Sequence, residues 1–130
     1  MTDTLDLSNF DFAHRAEAGA ALTLLHPITG EVLDVVIRLR GMDAPAWHAV
    51  IREQIDTQIN AGKRSLTAAE LEEAHIERLA RATIEWQGVV YQGHSLVCTP
   101  ANARRLYSEQ LWIREQVARF VEDRENFFGE

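Results

Sequence analysis

Ala20-Ala-Leu-Thr-Leu-Leu-His-Pro-Ile-Thr-Gly-Glu-Val-Leu-Asp-Val-Val-Ile-Arg-Leu-Arg40 is the stretch whose reading decides the fold. Leu22, Leu24 and His26 fall on one face of an extended segment, because side chains alternate sides along a strand. Pro27-Ile-Thr-Gly30 then supplies turn residues. Beyond the turn Leu33, Val35, Ile37 and Leu39 alternate with Asp34, Val36, Arg38 and Arg40. The pattern predicts a β-hairpin over 20–40 with one apolar side. A lone two-stranded ribbon is marginal in water, so that side must pack on something else in the chain.

The partners lie downstream. Gly41 closes the second strand, Asp43 is placed to cap a helix, and Pro45 is tolerated in its first turn. Trp47, Val50, Ile51 and Ile55 recur at helical steps, giving a helix over about 44–60 that ends at Asn60-Ala-Gly62. Thr67-Ala-Ala-Glu70 is a capping box that starts a second helix, about 68–84. Leu71, Ile76, Leu79 and Thr83 form its apolar side, with Glu70, Glu73, Glu77 and Arg81 opposite. Gln87-Gly88 and Gln92-Gly93 punctuate Val89-Val90-Tyr91 and Leu96-Val97-Cys98, which read as a second short hairpin or an ordered loop. Thr99 caps a short helix over 100–107, with Pro100 at its first position. Ser108 is the expected cap of a last helix over 109–124, where Ile113, Val117, Phe120 and Val121 form the stripe. Residues 1–19 are largely polar, and read as a mobile arm or an edge segment held by the rings of Phe10 and Phe12. Residues 20–128 form one α+β domain, mostly helical: a hairpin followed by about four helices.

Composition narrows the function classes. At 130 residues the chain fits one domain with a modest core, and its 46% hydrophobic and 25% charged residues are ordinary for a globular protein. No apolar run reaches the roughly 18–20 residues a membrane span requires. The first twenty residues carry Asp3, Asp6 and Asp11 and no signal-peptide pattern, which points to the cytosol. The net charge is −7 and the basic residues are scattered, without the basic stripe that nucleic-acid binding uses. Such acidity favours solubility and a basic protein partner. Cys98 is the single cysteine, so neither an internal disulfide nor a thiolate metal cage can form.

Glu72-x-x-His75 is the sharpest chemical element. A Glu and a His three residues apart on an inward helix face make half of a di-iron carboxylate site. A complete site needs a second such pair. His14, His26, His48 and His94 instead follow Asp11, Thr23, Pro45 and Tyr91 by three residues. The pair therefore reads as a first-turn glutamate favoured by the helix dipole and a hydrogen-bonded histidine. No His-x-x-x-His pair, nucleophile elbow or phosphate loop is present. No catalytic residue, metal ligand or cofactor is assigned, and the expectation is a non-enzymatic protein.

The aromatics carry more. Trp47, Trp86, Tyr107, Trp112 and Phe120 are expected to fill the core. Phe127-Phe128, close to a charged terminus, must either fold back or contact a partner. Aromatic density near the chain end places the expected partner face on the last helix and tail: Trp112, Val117, Phe120, Phe127 and Phe128. The hairpin ranks second, with Arg38 and Arg40 either solvated or facing an acidic partner, and with an exposed strand edge that allows self-association.

The ordered motifs add a resemblance. Asp6-Leu-Ser8, His26-Pro-Ile-Thr-Gly-Glu31, Trp86-Gln-Gly88, Asn102-Ala-Arg-Arg-Leu-Tyr107 and Trp112-Ile-Arg-Glu-Gln-Val117 occur here in that order. Asp123-Arg-Glu-Asn-Phe127 follows close to the chain end. Together they resemble small tail assembly chaperones of tailed phages, from about Asp6 to Phe128. The resemblance implies a non-enzymatic role in tail morphogenesis in the bacterial host cytoplasm. Such a protein coats the tape-measure protein, recruits tail-tube subunits, and is absent from the mature virion. The alternative is a minor tail or head–tail connector protein retained in the particle.

Overall fold

The computed structural model describes residues 4–128, so residues 1–3 of the expected arm lie outside it. The fold is α+β and mostly helical, with a hairpin near the N-terminus followed by helices. Strands β1 (Ala20–Leu25) and β2 (Val32–Leu39) pair antiparallel. Alternation holds along both: Leu24, Ile37 and Leu39 are buried while Thr23, Leu25 and Asp34 are exposed. In the turn, the Ile28 and Thr29 amides donate to Nδ1 of His26 (3.1 and 3.2 Å), and Gly30 takes φ +77. His26 therefore shapes the turn and is not part of the buried strand face.

Helices α2 (Pro45–Asn60) and α3 (Ala68–Ala82) follow, and then the chain departs from expectation. Thr83–Gln87, read in part as the end of the second helix, forms a strand, β3, antiparallel to β2. In Thr83-Ile-Glu-Trp-Gln87 the β-branched Ile84 and aromatic Trp86 alternate with Glu85 and Gln87, which suits a pleated surface better than a helix end. The Thr83 hydroxyl bonds the Leu79 carbonyl (2.9 Å) and the Tyr107 hydroxyl (2.7 Å), fixing the exit from α3. The sheet thus has three strands in the order β1-β2-β3. Leu71, assigned to the apolar side of α3, lies outside the packed part of that helix and is 55% exposed.

The second small hairpin is shorter than expected. It pairs β4 (Val90–Tyr91) with β5 (His94–Ser95), and Leu96 N–H continues to the Val89 carbonyl. Gln92 and Gly93 both have positive φ, the geometry of a tight primed turn. Helices α4 (Pro100–Glu109) and α5 (Leu111–Glu122) meet at Gln110, and a short α6 (Glu125–Phe128) ends the described chain.

Two expected caps are corrected. Asp43 does not cap α2 but pairs with Arg124 (2.6 and 3.0 Å), while Glu17 accepts from the Ala46 amide at 3.0 Å and takes the capping role. Ser108 lies inside α4, which runs two residues past the expected end, and α5 starts without a side-chain cap. The N-terminal segment also carries a helix. Asp11 caps helix α1 (Phe12–Ala18), which buries Ala16.

A single core joins the sheet to the helices. Leu24, Ile37 and Leu39 belong to one buried cluster with Leu79, Leu106, Tyr107, Val117 and Val121. Tyr107 is fully buried with its hydroxyl bonded to Thr83, and burial pushes its phenol above the ordinary range. Among the described residues, no helix is long and apolar enough to cross a membrane.

Gly88 and Gly93 give a controlled comparison. Both have positive φ, +82 and +86, but a Cβ on Gly88 would strike the Asp34 carbonyl oxygen whereas one on Gly93 meets nothing within 4 Å. Gly93→Ala should cost about 1 kcal/mol, the backbone strain alone. Gly88→Ala should cost about 1–3 kcal/mol more, because the β2–β3 approach must open. Urea unfolding of the two variants measures the difference, and equal losses would contradict this account of Gly88.

Candidate partner-binding groove

The open edge of β1 does not face bulk water along its whole length. Helix α5 crosses it, and Gln116 reaches the strand backbone. The Leu25 amide donates to Oε1 of Gln116 (2.9 Å), and Nε2 of Gln116 donates to the Leu25 carbonyl (2.8 Å). One side-chain amide thus satisfies both polar groups of one strand residue, which would otherwise be a free edge.

Around this clasp lies a groove of about 700 Å³ between the hairpin and α5. Leu22, Thr23, Leu25 and the turn His26–Gly30 line one wall. Trp112, Glu115, Gln116, Arg119, Phe120 and Asp123 line the other. Trp112 and Phe120 are half-buried and pack against the core, so their positions are fixed from behind. Trp112 Nε1 donates to Oε1 of Gln110 at 3.1 Å. Ile28 stands at the hairpin tip with 88% of its surface exposed, and neighbouring Val32 is 71% exposed. Apolar and polar groups line the groove together, and aromatic anchors set among polar groups are common at protein-recognition surfaces.

The residues expected at a partner face separate into three groups. Trp112 and Phe120 lie in the groove. Val117 and Phe127 do not: Val117 is fully buried, and Phe127 packs beneath Gly41 and edge-on to Phe120 at 5.4 Å between centroids. The tail folds back, because α6 turns the two rings toward the body. Phe128 lies against Phe12 (4.9 Å) and Phe10 (6.5 Å), under the Arg15 guanidinium at 4.8 Å. Arg15 Nη1 also donates to the Phe128 carbonyl (3.1 Å).

Arg38 and Arg40 form the third group. Neither is a freely solvated charge. Arg38 Nη2 donates to the carbonyls of Ala18 (2.9 Å) and Gly19 (3.2 Å), and Arg40 pairs with Glu17 at 3.0 Å. Both tie α1 to the sheet, an intramolecular use that strand alternation could not reveal.

Gln116, Leu25 and Ile28 are groove residues that the sequence reading did not assign. Gln116 lies one helical turn beyond Trp112, so the two share a face. An isoleucine in the middle of a four-residue turn has no strand face to join, and that misfit was the available signal.

Glu72 and His75, one turn apart on α3, have different partners. Glu72 pairs with Arg114 at 3.0 Å. His75 is held below its ordinary value by burial, with the nearby Arg78 and Arg114 adding to the effect and Glu122 opposing it. No group of three or more His, Cys, Asp or Glu side chains is placed to hold a metal among the described residues. Burial, with Glu85 adding, pushes the Cys98 thiol above its ordinary range.

Comparison with protein-family models, with curated proteins and with solved structures gave no match for this chain.

The His75 shift has a definite sign. Its folded value lies below the ordinary 6.5, so the unfolded chain binds the proton more readily. The stability it contributes is present above about 6.5 and is lost as pH falls through the folded value. Thermal melts from about pH 7 to about pH 5 should show His75→Gln losing less stability than the parent chain. Parallel losses would contradict a His75 value held below the ordinary one by folding.

Proposed function

We propose that the protein is a tail assembly chaperone of a tailed phage that holds its tape-measure protein in the groove between the β1–β2 hairpin and α5. One observation carries the reading. His26-Pro-Ile-Thr-Gly-Glu31 and Trp112-Ile-Arg-Glu-Gln-Val117, two of the motifs on which the resemblance rests, lie far apart in sequence. In the fold His26–Gly30 faces Trp112, Glu115 and Gln116 across the groove. The remaining motifs have internal work. Gly88 of Trp86-Gln-Gly88 lies against the Asp34 carbonyl, Tyr107 of Asn102–Tyr107 is core, and Arg124 of Asp123–Phe127 pairs with Asp43.

A holding role suits such a groove. The tape measure must be kept soluble and later surrendered, so the contact needs apolar area without a deep pocket. The chain's acidic charge favours solubility of the complex and steers a basic partner toward it. In this reading the protein acts in the host cytoplasm, recruits tail-tube subunits while bound, and leaves before the particle matures. The retained-component alternative differs in one observable, its presence in purified virions.

The test is co-expression with the tape-measure and tail-tube proteins of the same genome, followed by affinity purification and size exclusion. The parent chain should keep the tape measure soluble and co-elute with it. Ile28→Asp and Trp112→Ala should each reduce recovery about tenfold or more, the loss of a central apolar contact, with folding verified by circular dichroism. A folded parent chain that captures neither partner, or that is found by mass spectrometry in purified particles, would overturn the proposal.

A further inference from the structure

We infer that the groove takes its partner as an extended strand added to β1, and that Gln116 is a latch standing where that strand's backbone would bond. The inference deepens the holding role proposed above and rests on that use of the groove. In an antiparallel ladder, a residue of a hydrogen-bonded pair meets one N–H and one C=O from the same opposing residue. Leu25 already meets that combination, but from the Gln116 carboxamide. The pairing with β2 shifts between Thr23 and Leu25, where two residues of β1 span four of β2. Burial still alternates along β1 through Leu25, which directs the polar groups of Ala21 and Thr23 to the same edge as those of Leu25. β1, Ala20-Ala-Leu-Thr-Leu-Leu25, contains neither charge nor proline, two of the usual protections of an edge.

Charge selects the kind of strand. Glu115 and Asp123 line the helix side of the groove, and among the described residues neither forms an ion pair. Arg119 is the single guanidinium beside them. The rim is therefore net acidic, on a chain of net charge −7. The occupant that fits is an extended segment with apolar side chains at alternate positions over Trp112 and Phe120, and Lys or Arg at positions that meet the rim. β-strand addition draws affinity from main-chain bonds and specificity from alternate side chains, so one groove can serve many segments of a long partner.

Calorimetric titration of the full chain tests this with peptides of about twelve residues, enough to exceed a typical strand. One set tiles the tape-measure protein of the same genome, and a second is selected from a random display library. Backbone N-methylation of a binder should weaken it tenfold or more at alternate residues and less than twofold at the residues between. Gln116→Ala, by removing the competing latch, should tighten binding by about tenfold, the worth of one or two net hydrogen bonds. Gln116→Glu, which keeps the acceptor and loses the donor, gives a second variant should the alanine form fail to fold, and it too should bind more tightly. Raised salt should weaken binding.

Loss at every successive N-methylated position would indicate a helical occupant and overturn the strand. So would unchanged affinity in both Gln116 variants, or no binding peptide from either set. Library peptides that bind with the alternating pattern while no tape-measure peptide binds would sink the tape-measure reading and keep the strand. Full-length tape measure captured without any alternating pattern would do the reverse.

Discussion

Two or three strands cannot hide an apolar face by themselves, and in this protein the burial of that face organises everything else. Leu24, Ile37 and Leu39 share one cluster with Leu79, Leu106, Tyr107, Val117 and Val121. Each helix stripe in that cluster has its orientation dictated by the sheet. Fully burying one such side chain is worth about 1.5–3 kcal/mol, larger than the net return of most single polar contacts. The polar contacts then refine what burial has placed. Thr83 and Tyr107 join hydroxyls where α3 gives way to β3, and Arg38 and Arg40 lash α1 to the sheet.

The same constraint creates the groove. Because Val117 and Val121 are committed to the core, the neighbouring face of α5 is turned toward the β1 edge. Trp112 and Phe120 sit at the boundary, half in the core and half in the opening. The hairpin extends past its supporting helices, which leaves Leu25, Ile28 and Val32 with apolar surface in solvent. The two chain ends are closed by a different device, in which Phe10, Phe12 and Phe128 gather around Arg15 while Arg124 holds Asp43. Phe127 and Phe128 therefore serve closure, while Trp112 and Phe120 keep part of their surface in the groove.

Much of this architecture was legible in the residues, for reasons of periodicity. Period-two alternation in Leu33–Arg40 and helical spacing in Ile113–Val121 each respond to a single buried face, so the sequence reports them directly. The Thr67–Glu70 capping box is equally local, and both of its reciprocal bonds form. Non-local choices were not legible. Thr83–Gln87 pairs with β2 across two intervening helices, and the helical pattern before it masked the change. Asp43 lost its expected capping role to Glu17 because the partner that decides each one is distant in sequence. At the groove, Trp112 and Phe120 were recognisable as aromatic candidates. Gln116 was not, since a polar residue on a helix gives no indication that a strand backbone lies opposite it.

Hydrogen exchange on the protein alone and bound to its tape-measure protein tests most directly whether the groove is the binding face. The amides of Thr23 to His26 and of Ile28 to Gly30 belong to the hairpin that lines the groove, and they should slow on binding together with changes at the groove side of α5. Protection confined to the exposed end of the α2–α3 pair, with the hairpin amides unchanged, would contradict the account.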